Sequence, residues 1–230
     1  MYVRTAEGLG WGIPWISVSR VYARDAAIDY AHRHWNIPCN DRFVALHRKP
    51  YFKKVPVGTK FEHEFDAAGQ SLRREHALKP DGTRIEWEDL DDCTHFLSCC
   101  IGQPPGDKGG GIPIVHKQLG SPPYAPYGIV RVSTMVDYLL GRKYPGRQYA
   151  DAFGKEKTSD DTIINHLDPG DLIAYWNVEK KLYTHLTMYL GNGKIACHTY
   201  CRSDDPACTW DKSWDLGRGK YLWTPLHIFV

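Results

Sequence analysis

The stretch Asp91-Asp92-Cys93-Thr94-His95-Phe96-Leu97-Ser98 sets a thiol, an imidazole and two carboxylates within a few residues of one another. It reads as a helix start. Asp91 and Asp92 suit the cap and first turn, where carboxylates answer free amides and the positive end of the helix dipole. Phe96, Leu97, Cys100 and Ile101 recur at helical spacing and give that helix a face to bury. Cys93 then falls in the first turn, where a thiol with a histidine nearby drops from about 8.5 to somewhere near 4–7. The chemistry implied is acyl transfer. A Cys93 thiolate attacks an amide carbonyl, and the Cys93 backbone N–H with one further donor holds the oxyanion. Asp92 is read as a cap rather than a catalyst. His95, two residues past the cysteine, points away from the thiol.

Such a nucleophile needs a base, and the base needs a group to orient it. Among eleven histidines, His185 and His198 flank the tight turn Gly191-Asn192-Gly193 at nearly equal distances. Paired strands would bring them to about 5 Å between Cβ atoms. His185 is therefore expected to be the base, protonating the leaving amine and then activating water, and His198 its orienter. The other nine histidines are read as structural.

The elements that must position these groups come next. A helix over about Val21 to Trp35, capped by Ser19, carries Tyr22, Ala26 and Tyr30 in one stripe and Ala23, Ala27 and Ala31 beside it; Asn36-Ile37-Pro38 ends it. Ser133 caps a second helix through Leu140, and a short helix is placed near Asp160 to Asn165. The last third reads as antiparallel sheet: 172–176, 183–190, 194–200 and a closing strand 221–229. Between these lie an N-terminal arm (1–18), an inserted β-ribbon (40–90) built on 58–66 and 83–88, and a Pro/Gly-rich loop (103–128) of a length often tied to function. Helices first and strands afterwards argue an α+β fold in one domain, 1–230. The aromatic groups Trp87, Tyr124, Tyr127 and Trp176 could shape a groove, although core packing explains each of them as well.

Composition narrows the classes. The formal charge is +2, and the densest basic runs are pairs such as Lys53-Lys54, so no nucleic-acid partner is expected. No apolar run approaches the roughly 18 residues of a membrane span, and the N-terminus lacks the order of a signal peptide. The seven cysteines, an odd number, leave at least one free thiol. Cys99 and Cys100 are expected to be buried on the Cys93 helix. Cys201 and Cys208 bracket a turn and could pair in an oxidising compartment. Zinc at Cys197, Cys201, Cys208 and the nearby histidines is the competing idea. The spacings make no paired C-x-x-C set, so no metal or cofactor is expected.

Three motifs together carry a resemblance. Tyr22-Ala23-Arg24-Asp25-Ala26-Ala27-Ile28-Asp29-Tyr30-Ala31 resembles the opening helix of the putative amidase domain family. Asp92-Cys93-Thr94-His95-Phe96-Leu97-Ser98 resembles its Asp-Cys-Thr-Asn-Phe-Val-Ser motif, with His95 where that family has Asn. Leu167-Asp168-Pro169-Gly170-Asp171-Leu172-Ile173, then Thr184 to Lys194 and His198, resembles the NlpC-type papain-like cell-wall peptidases. The resemblance implies a papain-like α+β fold with the nucleophile helix packed on an antiparallel sheet. It also implies hydrolysis of amides in peptidoglycan stem peptides or cross-links, through Cys93, His185 and His198. A lysin or antibacterial toxin of this kind would act in the periplasm or cell wall and, as a toxin, would meet an immunity protein or inhibitor. Two other readings stay open: an acyltransferase, deamidase or protease acting on a different amide, and a non-catalytic wall-binding module. The 40–90 segment has no counterpart in the family pattern.

Overall fold

The structure is a computed structural model. It describes residues 22–49, 51–65, 67–68, 71–102, 109–114, 124–125, 128–142, 148–198, 209–211 and 219–229. The expected arm, Ser19, most of the 103–128 loop, and Cys201 with Cys208 lie outside the described residues.

In chain order the elements are helix α1 (Arg24–His34), strands β1 (Phe43–Ala45), β2 (Phe52–Lys54), β3 (Lys60–Phe65), β4 (Ser71–Leu78) and β5 (Arg84–Ile85), and helix α2 (Cys93–Gly102). Strands β6 (Tyr124–Ala125) and β7 (Gly128–Ile129) precede helix α3 (Val132–Leu139). Strands β8 (Ala150–Asp151), β9 (Leu172–Asn177), β10 (Leu182–Gly191), β11 (Lys194–Ala196) and β12 (Tyr221–Ile228) follow. The protein is α+β with antiparallel sheets. The main sheet has the order β11-β10-β9-β12-β8, so the strand expected to close the sheet lies inside it.

Both faces of this sheet are covered, which is why β9 reads as an unbroken apolar run rather than an alternation. Leu172, Ala174, Leu186, Met188 and Leu226 face the helices and share one core with Phe96, Leu97, Met135 and Val136. Ile173, Tyr175, Tyr189, Ile195 and Trp223 face away and form a second core with Trp210 and Ile163. Helix α2 is buried from Cys93 through Ile101. A helix apolar all round belongs in an interior, and this one is packed against the sheet through β10 and against α1.

The buried face of α1 is Ala27, Tyr30, Ala31 and His34, at the spacing of one helical stripe. Asp171 explains the turn before β9. Its carboxylate accepts from Arg24 (2.6 Å), from the Ile228 amide (3.0 Å), from the Asp168 amide (2.9 Å) and from His227 (2.8 Å), tying α1, the turn and β12 together. Gly170 beside it has φ 94°, and a Cβ there would stand 2.7 Å from Arg24 Cγ. Glycine is thus required at this position on two grounds.

Residues 40–90, expected to be an insertion, hold more sheet than their sequence suggests. β4, whose Ser-Leu-Arg-Arg-Glu-His-Ala-Leu shows no clean alternation, is the central strand of a three-stranded sheet β3-β4-β5. β1 and β2 form a separate ribbon. The expected short helix is a 3-10 turn over Asp161–His166, with the Asp160 carboxylate accepting the Thr162 amide.

Candidate functional site

Cys93 is the first residue of α2, as the sequence leads one to expect, but its environment differs from that of an activated thiol. The residue is 2% exposed. Burial, followed by the neighbouring Asp91 carboxylate, pushes its thiol up to about 12. The hydrogen bonds of its sulfur are with Thr94 Oγ1 at 3.6 Å and with the backbone amide of Leu186 on β10. Desolvation of a thiolate outweighs the helix start here, so the resting Cys93 is a neutral thiol, contrary to the expected acidic one.

His185 sits one residue from Leu186, yet on the other face of the sheet. Its partner across β9 is Tyr175, with ring centroids 5.9 Å apart, and Tyr175 belongs to the outer core. The cause is local. The pairing shifts between Tyr183 and His185, where Thr184 is the extra residue. Tyr183 faces the helices, and the bulge turns His185 away from them. Burial holds the His185 imidazole down to about 3, so the ring is neutral.

His198 does not orient His185. The β10–β11 register pairs Met188 with Ala196 and Tyr189 with Ile195. Continued, it would set Leu186, not His185, opposite His198. A displacement of one residue changes the face on which a side chain lies. The His198 ring accordingly faces α2, stacked 4.0 Å from Phe96, with the tilted Phe61 ring of β3 4.3 Å away. Its Nδ1–H donates to Asp92 Oδ2 at 2.6 Å and its Nε2–H to the His34 carbonyl at 2.6 Å.

Asp92, whose carbonyl accepts the Phe96 amide at 2.9 Å at the start of α2, is also a hub. Fully buried, it accepts from His198, from His95 Nδ1 (3.0 Å) and from the Ala45 amide of β1 (2.6 Å). Burial alone would raise its carboxyl. The charge of His95 and the hydrogen bonds from both rings hold it at about 2. His95 points away from the Cys93 thiol, as expected, and its Nε2–H donates to Asp41 Oδ2 at 3.0 Å. Burial disfavours charge on His95, but Cys99, Asp92 and Asp41 together raise it well above the usual histidine range. Cys99, whose sulfur is 3.7 Å from His95 Nε2, is lowered to about 6, chiefly by a hydrogen bond from Cys39 and then by His95. The acidic thiol of α2 is thus Cys99, one turn and a half beyond Cys93.

A profile of the family described as "Putative amidase domain" matches residues 21–224. The chain belongs to this amidase family. No curated protein and no solved structure matches it. Membership points to amide hydrolysis, and it spans all three resembling motifs and the inserted segment as well. No helix among the described residues is long and apolar enough to cross a membrane.

Within this family member the structure places Cys93, Asp92 and His198 on the α2 side of the sheet and His185 on the other. Asp41, Ala45 and Phe61, all from the inserted segment, were not expected at the site. The signal for Asp41 and Cys39 was present in outline. His95 and Cys99 are four residues apart on one face of a helix, and a polar pair of that kind, when buried, needs partners.

Proposed function

We propose that this amidase is a papain-like cysteine hydrolase that cleaves amide bonds in bacterial peptidoglycan stem peptides or cross-links, with Cys93 as nucleophile and His185 as base. The observation that carries this reading is the position of the Cys93 sulfur at the first residue of a buried helix, hydrogen-bonded to the Leu186 amide next to His185. Free amides of the helix start would receive the oxyanion. The peptidoglycan substrate rests on the resemblance of Gly170-Asp171-Leu172, His185 and the Gly191-Asn192-Gly193 turn to the NlpC-type peptidases. A lysin or toxin delivered to the cell wall is the corresponding biological role.

The reactive arrangement requires a local change. With the thiol near 12 and the imidazole near 3, passing the proton between them is uphill by on the order of 10 kcal/mol. Moving the β10 bulge from Thr184 past His185 would bring the ring to the face of Tyr183 and Cys93, where thiolate and imidazolium favour each other. His198, held by Asp92, fixes the start of α2 instead of the base.

A non-catalytic wall-binding module is the second reading, favoured by the placement of His185 beside Tyr175. One experiment separates the two: purified peptidoglycan is incubated with the protein and the released muropeptides are mapped by mass spectrometry. New peptide termini with the wild type, absent with Cys93→Ala, are expected. Sedimentation with the wall but no new termini would favour the binding module, and equal release by Cys93→Ala would refute cysteine catalysis.

A further inference from the structure

Away from the Cys93 thiol, the other end of the buried network converges on a single point. Cys39 (1% exposed), His95 (0%) and Cys99 (0%) present Sγ, a ring nitrogen and Sγ within 4.8 Å of one another. The Asp41 carboxylate, whose side chain is 3% exposed, reaches the same ring nitrogen, with Oδ2 at 3.0 Å from His95 Nε2. We propose that Cys39, Asp41, His95 and Cys99 form a zinc site that fastens the head of the inserted segment to helix α2.

The spacing of the donors suits a tetrahedral ion. Bonds of about 2.3 Å to sulfur and about 2.0–2.1 Å to nitrogen and oxygen put ligand atoms roughly 3.4–3.8 Å apart along the edges of the tetrahedron. Cys99 Sγ and His95 Nε2 are 3.7 Å apart. The Asp41 oxygen, 3.0 Å from His95 Nε2, lies outside this cluster of three, so its carboxylate swings from the ring toward the sulfurs as the ion enters.

The donors are also held in place from behind. His95 and Cys99 lie four residues apart on one face of a fully buried helix. The Nδ1–H of His95 donates to Asp92 at 3.0 Å, which fixes the ring with Nε2 toward the two sulfurs. A carboxylate behind the ring is the usual support of a histidine that binds a metal. On the other side, Cys39 and Asp41 belong to a tight turn. The Arg42 amide donates to the Cys39 carbonyl at 2.7 Å, and Arg42 takes φ 61°. The Asn40 amide donates to Tyr30 Oη, and Asp41 Oδ1 accepts the Phe43 amide, which leaves Oδ2 for the ion. Two thiolates, one imidazole and one carboxylate, all buried, make a four-coordinate set of the structural rather than the catalytic type. On loading, Cys39 and Cys99 bind as thiolates and His95 through a deprotonated Nε2, the protons they still carry pass to solvent, and no redox step is involved.

The site is independent of whether Cys93 is a nucleophile, and its test reads the metal directly. Chelator-stripped, reduced wild-type protein titrated with Co²⁺ should give the visible bands of tetrahedral cobalt and thiolate charge-transfer absorption in the near ultraviolet, saturating at one ion per chain. Zn²⁺ should bleach both. Cys39→Ser and Cys99→Ser should each lose about half of the charge-transfer intensity, as expected for one thiolate of two. Asp41→Asn should shift the visible bands alone, and Cys100→Ser should change neither. Zinc X-ray absorption on the wild type, which needs no variant to fold, should show two sulfur ligands at about 2.3 Å. An octahedral cobalt spectrum, a zinc shell with fewer than two sulfurs, or full charge-transfer intensity in a folded Cys39→Ser or Cys99→Ser protein would overturn the proposal.

Discussion

His185 and His198 lie on opposite faces of the sheet to which their hairpin belongs, one beside Tyr175 and the other stacked on Phe96 of α2. Two residues that look symmetric about a turn are thus given different work by the parity of the strand register and by one extra residue at Thr184.

The first consequence concerns Thr184. Removing it would straighten β10 while leaving His185 on the Tyr175 face, because His185 and Leu186 stay consecutive. A protein lacking Thr184 should fold with near-normal stability in urea titration and lose amide hydrolysis to the level of His185→Gln, at least about 100-fold. Retained hydrolysis would show that the base needs no change of face.

His198 and His185 should separate cleanly by variant. His198→Asn removes a ring that Asp92 and two phenylalanines enclose, so a loss of about 2–4 kcal/mol in unfolding free energy is expected. Whatever folded fraction remains should keep its turnover. If His198→Asn lowers turnover as far as His185→Gln with stability intact, His198 belongs to the chemistry after all.

Asp92 answers two buried imidazoles and one amide, so Asp92→Asn removes the carboxylate that faces the charged His95 ring and an acceptor of the His198 ring. The expected cost is about 3–5 kcal/mol, the usual penalty for leaving a buried charge unmatched. Equilibrium denaturation at neutral pH reads it. A loss under about 0.5 kcal/mol would mean that the network contributes little to the fold.

Acid should weaken the protein through His185. Its folded pKa near 3 is below the ordinary value of about 6.5, so the unfolded chain binds the proton first. Stability therefore falls as the pH drops below about 6.5 and continues to fall to about 3, by up to about 1.4 kcal/mol for each pH unit. His185→Gln should flatten that part of the stability curve. An unchanged slope between pH 6 and 4 would show that His185 is not held neutral.

Much of the frame was legible in the residues. The β9 and β10 strands follow from runs of apolar and β-branched residues, and the Gly191-Asn192-Gly193 turn announces itself. Cys93 at a helix start was equally plain, since Asp91 and Asp92 precede a helical apolar pattern. Strand β4 was hidden because Arg73, Arg74, Glu75 and His76 break the alternation that marks a half-buried strand. The faces of His185 and His198 were hidden for a different reason. A bulge leaves no mark in composition, and one residue of slip reverses the answer. The acidity expected of Cys93 failed because local placement at a helix start says nothing of burial, which here decides the sign. His95 and Cys99 called for buried partners, but Asp41 and Cys39 could not be named as those partners because they stand more than fifty residues away and only the folded turn brings them together.

The hold of β1 on Asp92 bears on how the protein can be cut. The Ala45 amide donates to the Asp92 carboxylate, the Asp91 amide donates to the Ala45 carbonyl, and Phe61 covers His198. Residues 40–90 therefore cannot be excised to leave a minimal domain, because their loss would flood the buried start of α2 with water. A split or circularly permuted form would better open at the exposed Val178-Glu179-Lys180-Lys181 turn between β9 and β10, far from that junction in the chain.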